Sequence, residues 1–220
     1  MTLCATIGGF ADSGSPEFAE QVIRVGRSPS PIAIADVNHD GKLDIIVGNM
    51  DDGTVSVLLG DGHGHFMPAH GSPFPCNANP NDIAVADVNG DGIPDVAVIP
   101  YEPQMRDPKQ LGLTVLLGNG KGGMTAMRGS PFSLAGCRGP NRVAIGDVRG
   151  DGLRDIVVSC AENNELVFFM GTRNGAFNVF TRSIPAGWGG VALADLTGNG
   201  KDDVVVSNDK AGTITILFSK

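Results

Sequence analysis

Residues 32–47, IAIADVNHDGKLDIIV, establish the fold of this 220-residue chain, because the same pattern returns three more times. The copies read IAVADVNGDGIPDVAV at 83–98, VAIGDVRGDGLRDIVV at 143–158 and VALADLTGNGKDDVVV at 191–206. Each copy is a short apolar run, an acidic loop that contains glycine, and a second apolar run. Self-similarity over about 50 residues is the sequence signature of a repeat architecture.

The apolar runs are short and rich in β-branched residues, which favours strands over helices. One strand precedes each loop and a second follows it. A third is expected at 54–59, 113–117, 165–170 and 213–218, and a fourth begins at Phe66, Met124 and Phe177 in the first three repeats. Four strands in about 50 residues describe one blade of a β-propeller. The sequence therefore predicts an all-β chain, a single propeller domain over residues 1–220 with four blades of four antiparallel strands, centred on 32–82, 83–142, 143–190 and 191–220 plus 1–31.

The fourth repeat stops after its third strand, and the start of the chain matches the strand that it lacks. Residues 8–16, GGFADSGSP, resemble residues 64–73, GHFMPAHGSP. We expect this N-terminal segment to pair with the C-terminal strand, since closing the ring removes an exposed sheet edge. Two alternatives remain open at this point: a piece of a larger propeller, and an open arc that a partner chain closes.

The loops follow the pattern Asp-x-Asn-x-Asp-Gly-x-x-Asp, which indicates calcium binding. Calcium takes six to eight oxygen ligands, and positions 1, 3, 5 and 9 supply side-chain oxygens while position 7 supplies a carbonyl. Clustered carboxylates repel one another unless a cation lies among them. The alternative is a metal-free turn held by Asx hydrogen bonds. The candidate ligands are Asp36, Asn38, Asp40, Lys42 and Asp44; Asp87, Asn89, Asp91, Ile93 and Asp95; Asp147, Asp151, Leu153 and Asp155; and Asp195, Thr197, Asn199, Lys201 and Asp203.

The four loops are not equivalent. The first two each carry three aspartates and an asparagine, so we expect calcium in both. In the third loop Arg149 stands at position 3, where it either turns outward or replaces the ion by pairing with the carboxylates. The fourth loop has only two carboxylates, which weakens calcium affinity. The prediction is therefore two calcium ions, and at most four.

At these positions the chain resembles the FG-GAP/VCBS repeat propellers, the family of the integrin α-subunit head. The resemblance rests on Asp36, Asn38, Asp40 and Asp44 with their counterparts, and on Gly-x-Gly-x-Phe before the fourth strand. It implies calcium in the loop between the first and second strands of a blade, and an extracellular or cell-surface location. Family members usually have seven or more blades.

Composition excludes several classes of function. With a net charge of −8, the chain lacks the basic surface that nucleic-acid binding requires. No apolar run approaches the length of a membrane helix, and the first residues do not form a signal peptide. The four cysteines are too scattered for a disulfide scaffold; Cys76 and Cys137 lie in equivalent loops and can pair, or all four remain thiols.

Two functions remain. The first is a binding module, monomeric or homo-oligomeric, whose partner is a protein, a glycan or a small molecule. A lectin is disfavoured, because the chain has one Trp and one Tyr for stacking on sugars. The second is a metal-dependent hydrolase of esters, lactones or phosphotriesters, in which a bound ion activates water. No catalytic residue is assigned. Trp188 and the insertion at 100–110 are further candidates for ligand contact.

Overall fold

The computed structural model describes residues 18–76, 79–101, 112–134, 136–184 and 189–220. These residues form strands, turns and bends, without a helix among them. Over the same ranges, then, nothing has the length and hydrophobicity of a membrane-crossing helix. The seventeen strands are β1 (Pro29–Ala35), β2 (Asp44–Asn49), β3 (Thr54–Gly60), β4 (Phe66–Pro68), β5 (Phe74–Pro75), β6 (Pro80–Ala86), β7 (Asp95–Pro100), β8 (Gly112–Gly118), β9 (Met124–Ala126), β10 (Phe132–Ser133), β11 (Pro140–Gly146), β12 (Asp155–Cys160), β13 (Glu165–Gly171), β14 (Phe177–Ser183), β15 (Val191–Ala194), β16 (Asp203–Asn208) and β17 (Thr213–Leu217).

Each repeat forms its own antiparallel sheet. Sheet 1 runs β1-β2-β3-β4 and sheet 3 runs β11-β12-β13-β14, as the repeat pattern predicts. Sheet 2 runs β6-β7-β8 and adds β9 and β10 on the far side of β8, while the short β5 extends sheet 1 in the same way. Sheet 4 contains β15-β16-β17. The all-β class and the strand positions are confirmed.

Consecutive sheets pack face to face. Alternate residues of a strand point to opposite sides of its sheet, so one strand can contact the sheets on both sides. In β6, Ile83 and Val85 pack toward sheet 1, whereas Ala84 packs toward sheet 3. We call the first side of a sheet its leading face and the second its trailing face. Three apolar clusters fill the interfaces between sheets 1 and 2, 2 and 3, and 3 and 4. The chain is thus an array in which each trailing face covers the next leading face.

Side-chain hydrogen bonds also link neighbouring sheets. The Asn81 side chain donates to the Pro140 carbonyl at 3.0 Å, and the Asn141 side chain donates to the Gly189 carbonyl at 3.3 Å. These bonds satisfy backbone carbonyls that face a neighbouring sheet rather than water.

The structure shows no closed ring over the residues it describes. Ile32 and Ile34 on the leading face of sheet 1 are exposed, as are Ile214 and Ile216 on the trailing face of sheet 4. The predicted closing strand at 8–16 lies outside the described residues, as do Trp188 and most of the insertion after β7. Closure by that strand therefore stays a prediction.

A disulfide joins Cys137 to Cys160, so the suggested pairing of Cys76 with Cys137 is wrong. The register of sheet 3 explains the difference. Cys160 ends β12 at the position where Asn49 ends β2, and the Asn49 side chain accepts a hydrogen bond from the Gly26 amide. Gly26 and Cys137 precede the first strands of their sheets by the same number of residues. The disulfide therefore fastens in sheet 3 the segment that a hydrogen bond fastens in sheet 1.

We expect removal of this disulfide to destabilise the chain. It closes a sequence separation of 23 residues, for which lost loop-closure entropy corresponds to about 3 kcal/mol. The variant that carries both Cys137→Ser and Cys160→Ser should therefore unfold at lower urea concentration than the native chain. Dithiothreitol should weaken the native chain to the same level and leave the double variant unchanged. Equal midpoints for the native chain with and without reductant would contradict the expectation.

Candidate functional site

The four acidic loops connect the first and second strands of each sheet, so the common topology places them at the same end of every sheet. In each loop the aspartate at position 1 accepts hydrogen bonds from backbone amides of the same turn. Asp36 accepts hydrogen bonds from the amides of Asp40 and Gly41 at 3.2 and 2.9 Å. Asp87, Asp147 and Asp195 accept the equivalent bonds in their own loops.

Positions 3 and 5 add short-range bonds of the same kind. The Asn38 side-chain oxygen accepts from the Asp40 amide at 3.1 Å, and Asp40 accepts from the Lys42 amide at 3.0 Å. In the second loop Asn89 also donates its side-chain NH₂ to Asp91. These are Asx turns, and they hold the side-chain oxygens on the inner side of each loop.

The aspartate at position 9 differs from the others because it is fully buried. Asp44 accepts from the Val37 amide at 2.9 Å through one oxygen and from the Gly60 amide at 2.8 Å through the other. The carboxylate therefore joins the loop to the end of the third strand. We call this arrangement the buried staple. It recurs at Asp95, Asp155 and Asp203, whose donors are Val88 and Gly118, Val148 and Gly171, and Leu196 and Ser219.

Sequence reasoning missed the partners of the buried staple, although a signal was present. Gly60, Gly118 and Gly171 end the third strands of sheets 1, 2 and 3. A Cβ at Gly60 would lie 2.2 Å from the Leu43 carbonyl oxygen, because the strand end approaches the residue next to the aspartate. A repeated glycine at this point therefore marks where the chain must come close to the carboxylate.

Burial disfavours the ionised form of the staple carboxylate at Asp95 and Asp155. Burial, together with repulsion by Asp91, raises the pKa of Asp95 to about 6. The hydrogen bonds from the Gly118 and Val88 amides lower this pKa but do not outweigh the burial. Burial also raises the pKa of Asp155, where Gly171 and Arg149 oppose it. By contrast, the Gly200 amide holds the pKa of the exposed Asp195 below its usual value. Carboxylates in such an environment are stabilised by any nearby cation.

The third loop carries its own cation. The Arg149 guanidinium turns inward, with Nη2 at 2.9 Å from an Asp155 oxygen and 3.3 Å from an Asp151 oxygen, and it donates to the Gly171 carbonyl. Its Nε is buried without a hydrogen-bond partner in the structure. Of the two roles open to Arg149, pairing with the carboxylates is the one observed.

The other loops lack this guanidinium. In the first loop Lys42 Nζ lies 3.7 Å from an Asp40 oxygen at the surface. In the fourth loop the side chains of Asn199 and Lys201 turn to carbonyls of Ser219 and Lys220. Across the described ranges, no three His, Cys, Asp or Glu side chains converge as a metal site. The predicted calcium ligands are thus brought into common loops, and calcium binding itself stays a prediction.

A second feature is a cleft of about 580 Å³ between sheets 3 and 4. Phe180 stacks on Phe168 at 4.6 Å along one wall, beside Arg182. Lys201 and the end of the chain line the other wall. Apolar rings next to cationic groups can hold a ligand that carries both a hydrophobic part and a negative charge.

We expect loss of the buried staple to destabilise the chain without any involvement of metal. Asp95→Ala leaves two backbone amides without acceptors in a buried place, at a cost of about 2–4 kcal/mol. The matched control is Asp91→Ala in the same loop, where water can replace the exposed carboxylate and the cost should stay below about 1 kcal/mol. Urea unfolding of both variants in excess chelator measures the difference. Equal losses would show that the position-9 carboxylate has no special role.

Solved structures resemble this chain at low sequence identity. A crystal structure of a protein from Lactobacillus plantarum matches with a TM-score of 0.51 and 15% identity, over 86% of this chain and 56% of that one. This chain thus spans little more than half of that protein. The V. cholerae biofilm matrix protein Bap1 matches at 0.35 and 18%, over 88% and 38% of the chains. BBS1N, crystallised with ARL6DN, matches at 0.31 and 11%, over 89% and 81%. No curated protein sequence matches.

The first of these likenesses supports the fold, and the family follows from the repeats themselves. The family model for the FG-GAP-like repeat matches residues 36–98 and 147–206, which together make up more than half of the chain and include all four acidic loops. On the strength of that match, this chain belongs to the FG-GAP-like repeat family.

Proposed function

We propose that the chain is a propeller-like binding module whose sheets are braced by calcium in the first two acidic loops. The observation that carries the proposal is the guanidinium of Arg149 in the third loop. It occupies the space between the carboxylates at positions 5 and 9, at 3.3 and 2.9 Å. The third loop therefore satisfies with its own side chain a requirement for positive charge.

The first two loops carry the same carboxylates with an uncharged residue at position 3. In the second loop, no described Lys, Arg or His forms an ion pair with Asp87, Asp91 or Asp95. In the first loop the Lys42–Asp40 pair is exposed, and exposed pairs contribute little. A bound divalent cation would supply the missing charge.

The donor set of these loops suits calcium. It consists of carboxylate oxygens, one asparagine amide oxygen and the carbonyl of residue 42 or 93, all hard oxygen ligands. Each staple oxygen accepts one amide hydrogen bond and keeps a second lone pair. The fourth loop offers fewer negative charges and would hold calcium more weakly. The third loop, already neutralised by Arg149, would not need it.

We also propose that the protein works in an oxidising, extracellular setting. The Cys137–Cys160 disulfide supports this, because such bonds persist outside the reducing cytosol. The family resemblance points to the same location. In that setting the loops and the cleft between sheets 3 and 4 would present the surfaces that contact a protein, a glycan or a small molecule.

Calcium removal should lower the stability of the native chain. A ligand at 100 times its Kd adds about 2.7 kcal/mol per site, so excess chelator should lower the Tm by several degrees. Titration calorimetry should detect calcium binding, and the pair Asp87→Asn and Asp91→Asn should remove one site. The matched control, Asp147→Asn with Asp151→Asn, alters the Arg149 loop and should leave the number of bound ions unchanged. Equal Tm values for the native chain with and without chelator would contradict the proposal.

The binding module and the hydrolase differ in an activity assay. We expect chromogenic esters, lactones and phosphotriesters to remain intact in the presence of the protein, with calcium, with manganese or zinc, and with chelator. Turnover that depends on metal and disappears in Asp91→Asn, but persists in Asp151→Asn, would favour the hydrolase instead.

A further inference from the structure

Two isoleucines of β1 on the leading face of sheet 1 are exposed, although Val47 and Leu58 on the same face are buried. Ile83 of β6 and Val143 of β11 are 8% and 7% exposed, whereas the equivalent Ile32 of β1 is 65% exposed. Ile34, two residues further along the same face, is 63% exposed. Ile83 and Val143 are covered by the preceding sheet. The described residues contain no sheet that covers Ile32 and Ile34 in this way.

The trailing face of sheet 4 shows the same contrast. Val55 and Val57 of β3 are fully buried against sheet 2. The equivalent residues of β17, Ile214 and Ile216, are 64% and 37% exposed. Large apolar side chains grouped on one face of a sheet mark an interaction surface rather than ordinary solvent-exposed residues.

We propose that the trailing face of sheet 4 in one copy of this chain packs against the leading face of sheet 1 in a second copy. Continuity with the three internal interfaces supports this partner, because each of them joins one trailing face to one leading face. The side chains also correspond in kind. Ile214 and Ile216 would meet Ile32 and Ile34 as the valines of β3 meet Ile83 and Val85.

The usual blade number of propellers favours two copies. A head-to-tail interface closes into a ring when the rotation between copies completes a full turn. Two copies of four sheets give eight, which is within the range of four to eight blades typical of propellers. Over the described residues, Ile32, Ile34, Ile214 and Ile216 are exposed, so both faces are accessible to a second copy. The dimer would place the acidic loops of both copies on one rim.

Analytical ultracentrifugation of the 220-residue chain tests the proposal. We expect a particle of twice the 22.7 kDa chain mass. Ile34→Lys and Ile216→Glu should each give a monomer, because each places a charge in both interfaces of the ring. Both side chains are at the surface of the single chain, so circular dichroism should show unchanged folding. The matched control is Val179→Glu on β14, an exposed apolar residue away from both faces, which should remain dimeric.

Mixing the two monomeric variants tests the head-to-tail arrangement. In a mixed dimer, one interface joins two native faces. The other interface sets the charge introduced by Ile34→Lys opposite the charge introduced by Ile216→Glu, and these charges attract each other. Mixed samples should therefore recover the dimer mass. A native chain that sediments as a monomer overturns the proposal. So does an Ile34→Lys variant that remains dimeric, since that result would mean that the leading face of sheet 1 lies outside the interface.

Discussion

The buried carboxylate at position 9 of each acidic loop is the contact on which the rest of the architecture depends. Asp44, Asp95, Asp155 and Asp203 begin the second strands of their sheets and are fully buried. Each accepts one amide from its loop and one from the end of the third strand. Three separate parts of a repeat thereby meet at one ionisable group, and this fixes the position of the loop relative to the sheet.

The buried staple gives the loops a shape in which positive charge is favourable. It places a buried carboxylate in each loop, whereas the side chain at position 5 is exposed. In the third loop Arg149 supplies the positive charge from within the chain. The residue at position 3 decides whether a loop contains this internal charge, because it is Arg149 in the third loop and an uncharged residue in the other three.

Packing between the sheets follows a single rule throughout the array. Each internal interface joins the trailing face of one sheet to the leading face of the next through a cluster of apolar side chains. Because every internal interface has this polarity, the described array ends in two unlike faces, the leading face of sheet 1 and the trailing face of sheet 4. The buried cysteine pair in sheet 3 and the Asn49–Gly26 bond in sheet 1 fasten the incoming segment at equivalent points.

Local sequence patterns are sufficient to predict the repeat, the strand order within each sheet and the residues of the acidic loops. They suffice because alternation and turn residues act over a few neighbours. Only the three-dimensional arrangement shows that Cys137 pairs with Cys160, that Arg149 turns inward and that Asp44 binds the Gly60 amide. It also shows that Ile32 and Ile34 of sheet 1 and Ile214 and Ile216 of sheet 4 are exposed. These outcomes depend on strand register and on the stacking of sheets, which bring together residues that no short stretch of sequence relates.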